Sequence, residues 1–113
     1  GLGGRLNSAT GAHYGAWVYP ESSGGGSSVL KLIKFSSYAN WALMQQVSLP
    51  GVGTTAHTVS ITFTSNQIRV SYDGTQVINT TDNSGPYTSG GISLDMWTQT
   101  SGINTFDNIS VTQ

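Results

Sequence analysis

Five carboxylates (Glu21, Asp73, Asp82, Asp95 and Asp107), two histidines and four cationic side chains make up the charge-bearing chemistry of this 113-residue chain. Hydrolysis of a glycosidic bond needs two carboxyl groups flanking it, about 5–9.5 Å apart. No local spacing supplies such a pair. Glu21 stands in a Gly/Ser loop, Asp73 in a turn, Asp82 in the polar run "TDNSGP", and Asp95 alone in "ISLDMWT". His13 has no His, Asp or Glu partner at useful spacing. His57 falls in phase with Val59 and Ile61, the place of a satisfied histidine at a sheet margin. Cysteine is absent, which excludes a disulfide frame and a thiolate metal site. No phosphate loop, metal centre or nucleophile triad can be built from these residues. The expectation is a non-catalytic protein.

The aromatic residues offer a different chemistry. A sugar is held by an exposed aromatic ring that covers the apolar face of a pyranose, with polar groups beside it to read the hydroxyls. Trp97 beside Asp95 meets that requirement. Alternation also places His13, Trp17 and Tyr19 on one side of their strand, and Trp41 follows Asn40 at the end of a polar loop. Each has a purely structural counterpart. Trp17 and Tyr19 are residue types that more often fill a sandwich core, and an outward Trp97 serves an interface as readily as a ligand.

Composition narrows the partners. Charged residues are 8% of the chain, against about 25% in an average soluble domain. Gly, Ser, Thr and Asn supply the polarity, and a net charge of −1 gives little self-repulsion against association. Two Lys and two Arg make no footprint for a nucleic-acid backbone. No apolar run approaches the roughly 18 residues of a membrane span. The chain opens on "GLGG" without Met or a signal-peptide pattern, as expected of a processed product or an excised part of something longer.

The elements that must carry these residues are strands. "HTVSITFTSNQIRVSYDGTQVINTTDN" alternates apolar and polar residues from His57 to Asn83 and turns twice at small polar pairs. With Ser65-Asn66 as a two-residue turn, Phe63 lies opposite Ile68, Ile61 opposite Val70, and Val59 opposite Tyr72. With Asp73-Gly74 as the next, of type I′, Val70 also lies opposite Val77. Both registers gather Val59, Ile61, Phe63, Ile68, Val70, Tyr72 and Val77 on one buried face. "HYGAWVYP" and "VLKLIKF" are β-rich runs separated by the loop "ESSGGGSS". Lys31 and Lys34 fall on opposite faces of the second run, which predicts a bulge or an edge position. "WALMQQVSL" reads as a strand between sheet segments, and "GGISLDMWT" and "NTFDNISVT" complete the set, joined by a short loop through Gly102. The class is all-β, a single antiparallel sandwich with no helix and no internal repeat.

The runs "HYGAWVYPESS…SSVLKLIKF", "AHTVSITFTSNQIRVSYDGTQVINTTDN", "YTSGGISLDMWT" and "FDNISVT" resemble the concanavalin A-like (laminin G-like) jelly-roll sandwich from about Tyr14 to Thr112. That family shows an "N-x-I-x-V-x-x-D-G" hairpin, a "G-G-I-G-L" strand and a closing "F-D-N-I-x-V" strand. The resemblance implies the fold but not the ligand, because the fold carries lectins, glycanases, adhesion modules and inert spacers. Glycanases of this fold carry E-x-D-x-x-E on one strand, where this chain has only Asp95. Family members also begin with a further block of strands, the first pairing beside the last. This chain starts where that block should have ended. The expectation is a sandwich incomplete on its own, with an edge covered by a second copy, a neighbouring chain or an unseen segment.

Pairing Leu94 with Ile109 and Ile92 with Val111 joins apolar faces, sends Asp107 inward, and leaves Asp95, Trp97, Phe106 and Asn108 on the other side. An inward carboxylate must be bonded or bound to metal. Hydrogen bonds from backbone amides are the expected partners; a structural calcium at Asp107 is what the resemblance implies instead. Asn79-Thr80-Thr81 and Asn108-Ile109-Ser110 are glycosylation sequons by pattern alone. The functional expectation is a non-catalytic extracellular or cell-surface module that binds carbohydrate or mediates adhesion through Trp97, Asp95, Trp17, Tyr19 and Trp41. The alternative is a structural subunit of a surface assembly, completed by its neighbour.

Overall fold

The computed structural model describes residues 1–23, 26–97 and 103–113. They contain eight strands: β1 Leu2–Asn7, β2 Ala12–Tyr19, β3 Val29–Phe35, β4 Trp41–Ser48, β5 Val59–Thr64, β6 Gln67–Tyr72, β7 Thr75–Thr81 and β8 Gly91–Leu94. Two antiparallel sheets form a sandwich-like arrangement compatible with a jelly roll, one in the order β4-β3-β2-β1-β8 and the other β5-β6-β7. The all-β expectation holds. No helix among the described residues is long and apolar enough to cross a membrane.

The three-stranded sheet follows the turn chemistry closely. Ser65 takes a left-handed φ of 54°, and the β5–β6 register pairs Val59 with Tyr72, Ile61 with Val70 and Phe63 with Ile68. Asp73 (φ 49°) and Gly74 (φ 80°) both have the positive φ of a type I′ turn. Asp73 also accepts from the Thr58 amide at 2.9 Å and contacts His57 Nδ1 at 2.7 Å, while the His57 ring stacks on Tyr72. One expectation fails beyond that turn. Val70 opposes Ile78, not Val77, because a bulge separates the Val70 and Ser71 pairings. The extra residue shifts the phase, so Ile78 enters the core at 1% exposure while Val77 only borders it.

In the five-stranded sheet, β2 turns Tyr14 and Ala16 inward and β3 turns Leu30 and Leu32 inward, all onto Ile68, Val70, Tyr72 and Ile78. The predicted irregularity near the lysines is a bulge in the β3–β4 pairing: Leu32 faces Gln45 and Ile33 faces Leu43, leaving Met44 extra. β3 itself is an interior strand.

Two corrections concern the ends of the described chain. "LGGRLN" is an interior strand between β2 and β8, although its glycines give it little intrinsic strand preference. The strand expected at "NTFDNISVT" is absent: residues 103–113 lie outside the sheets and are exposed. β8 pairs instead with β1, placing Leu2 opposite Leu94 and Gly3 opposite Ser93. Asp107 is therefore exposed rather than inward. The joining loop through Gly102 lies outside the described residues.

Candidate functional site

The outer face of the five-stranded sheet has a floor of glycines. Gly3 of β1 lies opposite Gly15 of β2, and both face away from the core. A Cβ on Gly15 would fall 2.8 Å from Trp17 Nε1, and one on Gly1 would fall 2.6 Å from Trp17 Cδ1. A Cβ on Gly3 would stand 2.0 Å from Ser93 Oγ and 2.9 Å from His13 Cδ2. Interior strand glycines mark places where another group must approach the backbone closely. Here that group is the Trp17 indole, which lies over the sheet. Trp17 and Tyr19 thus belong to the outer face and not to the core, since Tyr14 and Ala16 alternate with them and point inward.

That position brings Trp17 to Asp95. The indole Nε1 donates to Asp95 Oδ2 at 3.1 Å, and His13 Nε2 meets the same oxygen at 3.2 Å. His13 Nδ1 lies 2.8 Å from the Gly11 carbonyl oxygen, and its ring stacks on Phe35. His13 therefore has an acidic partner, contrary to the sequence reading. The partner is 82 residues away and arrives only because β1 spaces β8 beside β2. Burial pushes the Asp95 pKa up, but the bonds from His13 and Trp17 outweigh it and hold the carboxyl below its usual range. Asp95 is accordingly an ionised acceptor at neutral pH.

Around this centre lies an open depression of about 350 Å³, walled by Leu6, Tyr38, Met96 and Trp97. Trp97 is 62% exposed and Tyr38 is also largely exposed. The Tyr38 hydroxyl donates to the Ser8 carbonyl, which fixes the ring at the rim. Ser93 Oγ is buried beside Asp95. Of the residues singled out in the sequence, the structure gathers His13, Trp17, Asp95 and Trp97 at the depression. It adds Phe35 and Tyr38 to them. Tyr19 packs against Trp17 at a centroid distance of 6.3 Å, with the Lys31 ammonium 4.4 Å from its ring centroid. Trp41 opens β4, two strands from Trp17, and does not line the depression. Asp107 lies apart in the exposed terminal segment.

A second polar cluster centres on Asp82 of the polar run "TDNSGP", which accepts from the Ser84 amide at 2.8 Å and is buried. Its Oδ2 accepts from the Tyr14 hydroxyl at 2.6 Å and from Lys34 Nζ at 2.5 Å. Lys34 also donates to the Ser84 and Gly85 carbonyls, and the Tyr87 amide donates to the Tyr14 hydroxyl. Burial and the bond to Asp82 push the Tyr14 phenol up to about 12. Every group in this cluster is matched, so it ties the Ser84–Tyr87 loop to the core and leaves no vacancy for a ligand. Lys34 shares the inward face of β3 with Leu30 and Leu32, and the distant Asp82 that makes this tolerable had no sequence signal.

No group of three His, Cys, Asp or Glu side chains among the described residues could hold a metal ion. No family model matches the chain, and no curated protein or solved structure is significantly similar to it.

Proposed function

We propose that this domain is a non-catalytic, extracellular carbohydrate-binding or adhesion module that holds a glycan in the depression over Trp17. The observation that carries the reading is the juxtaposition of an ionised Asp95 with the aromatic faces of Trp17, Trp97 and Tyr38. In this reading the rings cover the apolar face of a pyranose and the Asp95 carboxylate accepts from its hydroxyls. The non-catalytic part rests on the carboxylates. Among the described residues Asp95 is the one acid that lines the depression, whereas glycoside hydrolysis uses two. Both His13 nitrogens face oxygen acceptors, leaving neither free to activate Ser93. A glycan array with Trp97→Ala and Asp95→Asn controls tests the reading: binding that neither change weakens would remove it.

A second reading has its own observation. Ile92 and Leu94 of β8 are 46% and 42% exposed, although they alternate with the outward Ser93 and belong to the core side. β8 is itself an edge of the five-stranded sheet, with no partner on its far side among the described residues. An open edge that carries uncovered apolar residues favours a structural subunit completed by a neighbouring chain. Sedimentation equilibrium tests this, with concentration-dependent association expected and a strictly monomeric species counting against it.

A further inference from the structure

We infer that His13 is a positioning residue for this depression, holding Asp95 against Trp17 only while its imidazole carries two protons, so that ligand affinity falls as pH rises. The inference rests on the sugar-binding reading of the site.

The ring is 5% exposed, and both of its nitrogens face oxygen acceptors, the Gly11 carbonyl at 2.8 Å and Asp95 Oδ2 at 3.2 Å. A neutral imidazole has one N–H and one lone pair, so it can satisfy one of these oxygens and must turn a lone pair on the other. The imidazolium donates to both. Phe35 of β3 lies parallel at 4.3 Å with an interplanar angle of 5°, and its π face favours a cation. From β8, the charged group facing the ring is Asp95, with Ser93 neutral beside it. Just before β1 stands the Gly1 amino group, which donates to the Asp95 carbonyl at 2.7 Å. Tyr38 lines the same depression from the loop after β3. Burial pushes the imidazole pKa down, but the bonds to Asp95 and Gly11 outweigh it and hold it above the ordinary 6.5.

Loss of the proton opens one of the two contacts. The tautomer that keeps the charge-assisted bond to Asp95 turns a lone pair on the Gly11 carbonyl oxygen at 2.8 Å, and the tautomer that keeps the Gly11 bond turns it on the carboxylate at 3.2 Å. Either repulsion displaces the ring from the position in which it braces Asp95, and the carboxylate, left with Trp17 Nε1 as its remaining ring donor, is held less firmly. The expected loss of affinity is about tenfold, the size of one charge-assisted hydrogen bond.

The test is an NMR titration of the whole chain from about pH 5 to pH 9, bracketing histidine's range. Calorimetry with cellohexaose and mannohexaose as neutral probes runs alongside it. The His13 ring should titrate with a midpoint above 6.5, and the Trp17 indole N–H, identified by its loss in Trp17→Phe, should shift with the same midpoint. Probe affinity should fall about tenfold across that midpoint. His13→Gln, which keeps an N–H donor but cannot titrate, should flatten the affinity profile; a pH profile that survives this change overturns the inference. So does a His13 midpoint at or below 6.5, or an indole resonance indifferent to it, and these readings need only the unaltered chain. A coupled titration with neither probe bound at any pH supports the hold of His13 on Asp95 and removes the sugar reading.

Discussion

Trp17 and Asp95 are 78 residues apart in sequence, yet the indole Nε1 of one donates to the carboxylate of the other at 3.1 Å. The bond crosses β1, which lies between their strands and has glycine where a side chain would block the path. The depression is therefore built as much by residues without side chains as by the aromatic groups that line it.

Gly15→Ala tests that floor. Its Cβ would meet Trp17 Nε1 and Cδ1 at under 3 Å, so the indole must lift off the sheet and release Asp95. The expected destabilisation is about 1–3 kcal/mol, typical of overpacking. It should appear in the denaturant midpoint together with a changed Trp17 indole N–H shift. An unchanged resonance would contradict the packing described.

Trp97→Ala separates binding from folding. The ring is mostly exposed and closes one wall of the depression, so stability should change by less than about 0.5 kcal/mol, as for a surface site. Oligosaccharide affinity should drop at least about tenfold, in line with loss of a stacking contact. Equal loss of both would make Trp97 a structural residue instead.

The Lys34–Asp82 pair should dominate the acid response. Burial pushes the Asp82 pKa up, but the bonds from Lys34 and Tyr14 outweigh it and leave it below 3.8. A depressed carboxyl contributes stability that is fully present above its unfolded pKa and is lost as pH falls through the folded value. The urea midpoint should therefore decline below about pH 4. Asp82→Asn should remove much of that decline and lower stability at neutral pH by about 3 kcal/mol, as when a buried ion pair loses one partner.

The bulge after the Asp73-Gly74 turn makes neighbouring residues unequal. Ile78→Ala should cost about 2–4 kcal/mol, because Ile78 is enclosed by the core. Val77→Ala, at the margin, should cost less than half of that. Equal costs in thermal or chemical unfolding would restore the unbulged register.

Legibility followed distance along the chain. The β5–β6 register was readable because alternation and a two-residue turn are set within about ten residues, and each confirms the other. The β7 bulge was not, since Val77 and Ile78 are both apolar and either can fill the inward position. "LGGRLN" hid its strand because glycine has low strand preference, and its purpose shows only in what lies across it. The closing run "FDNISVT" misled for the opposite reason: its alternation is strand-like, but residues 103–113 lie outside the sheets and β8 pairs with β1. Likewise Trp17 carried the residue type of a core group until its glycine floor was visible.

Short-range chemistry thus accounts for the all-β class, most of the strands and the hairpin turns, because backbone preference and period-two burial act between near neighbours. Which strands lie side by side was decided by long-range packing of the two sheets, where any of several apolar faces can pair. The Asp95–His13–Trp17 cluster and the Asp82–Lys34–Tyr14 cluster are products of that second step. A buried charge needs its partner in space, and nothing along the chain records where that partner will be.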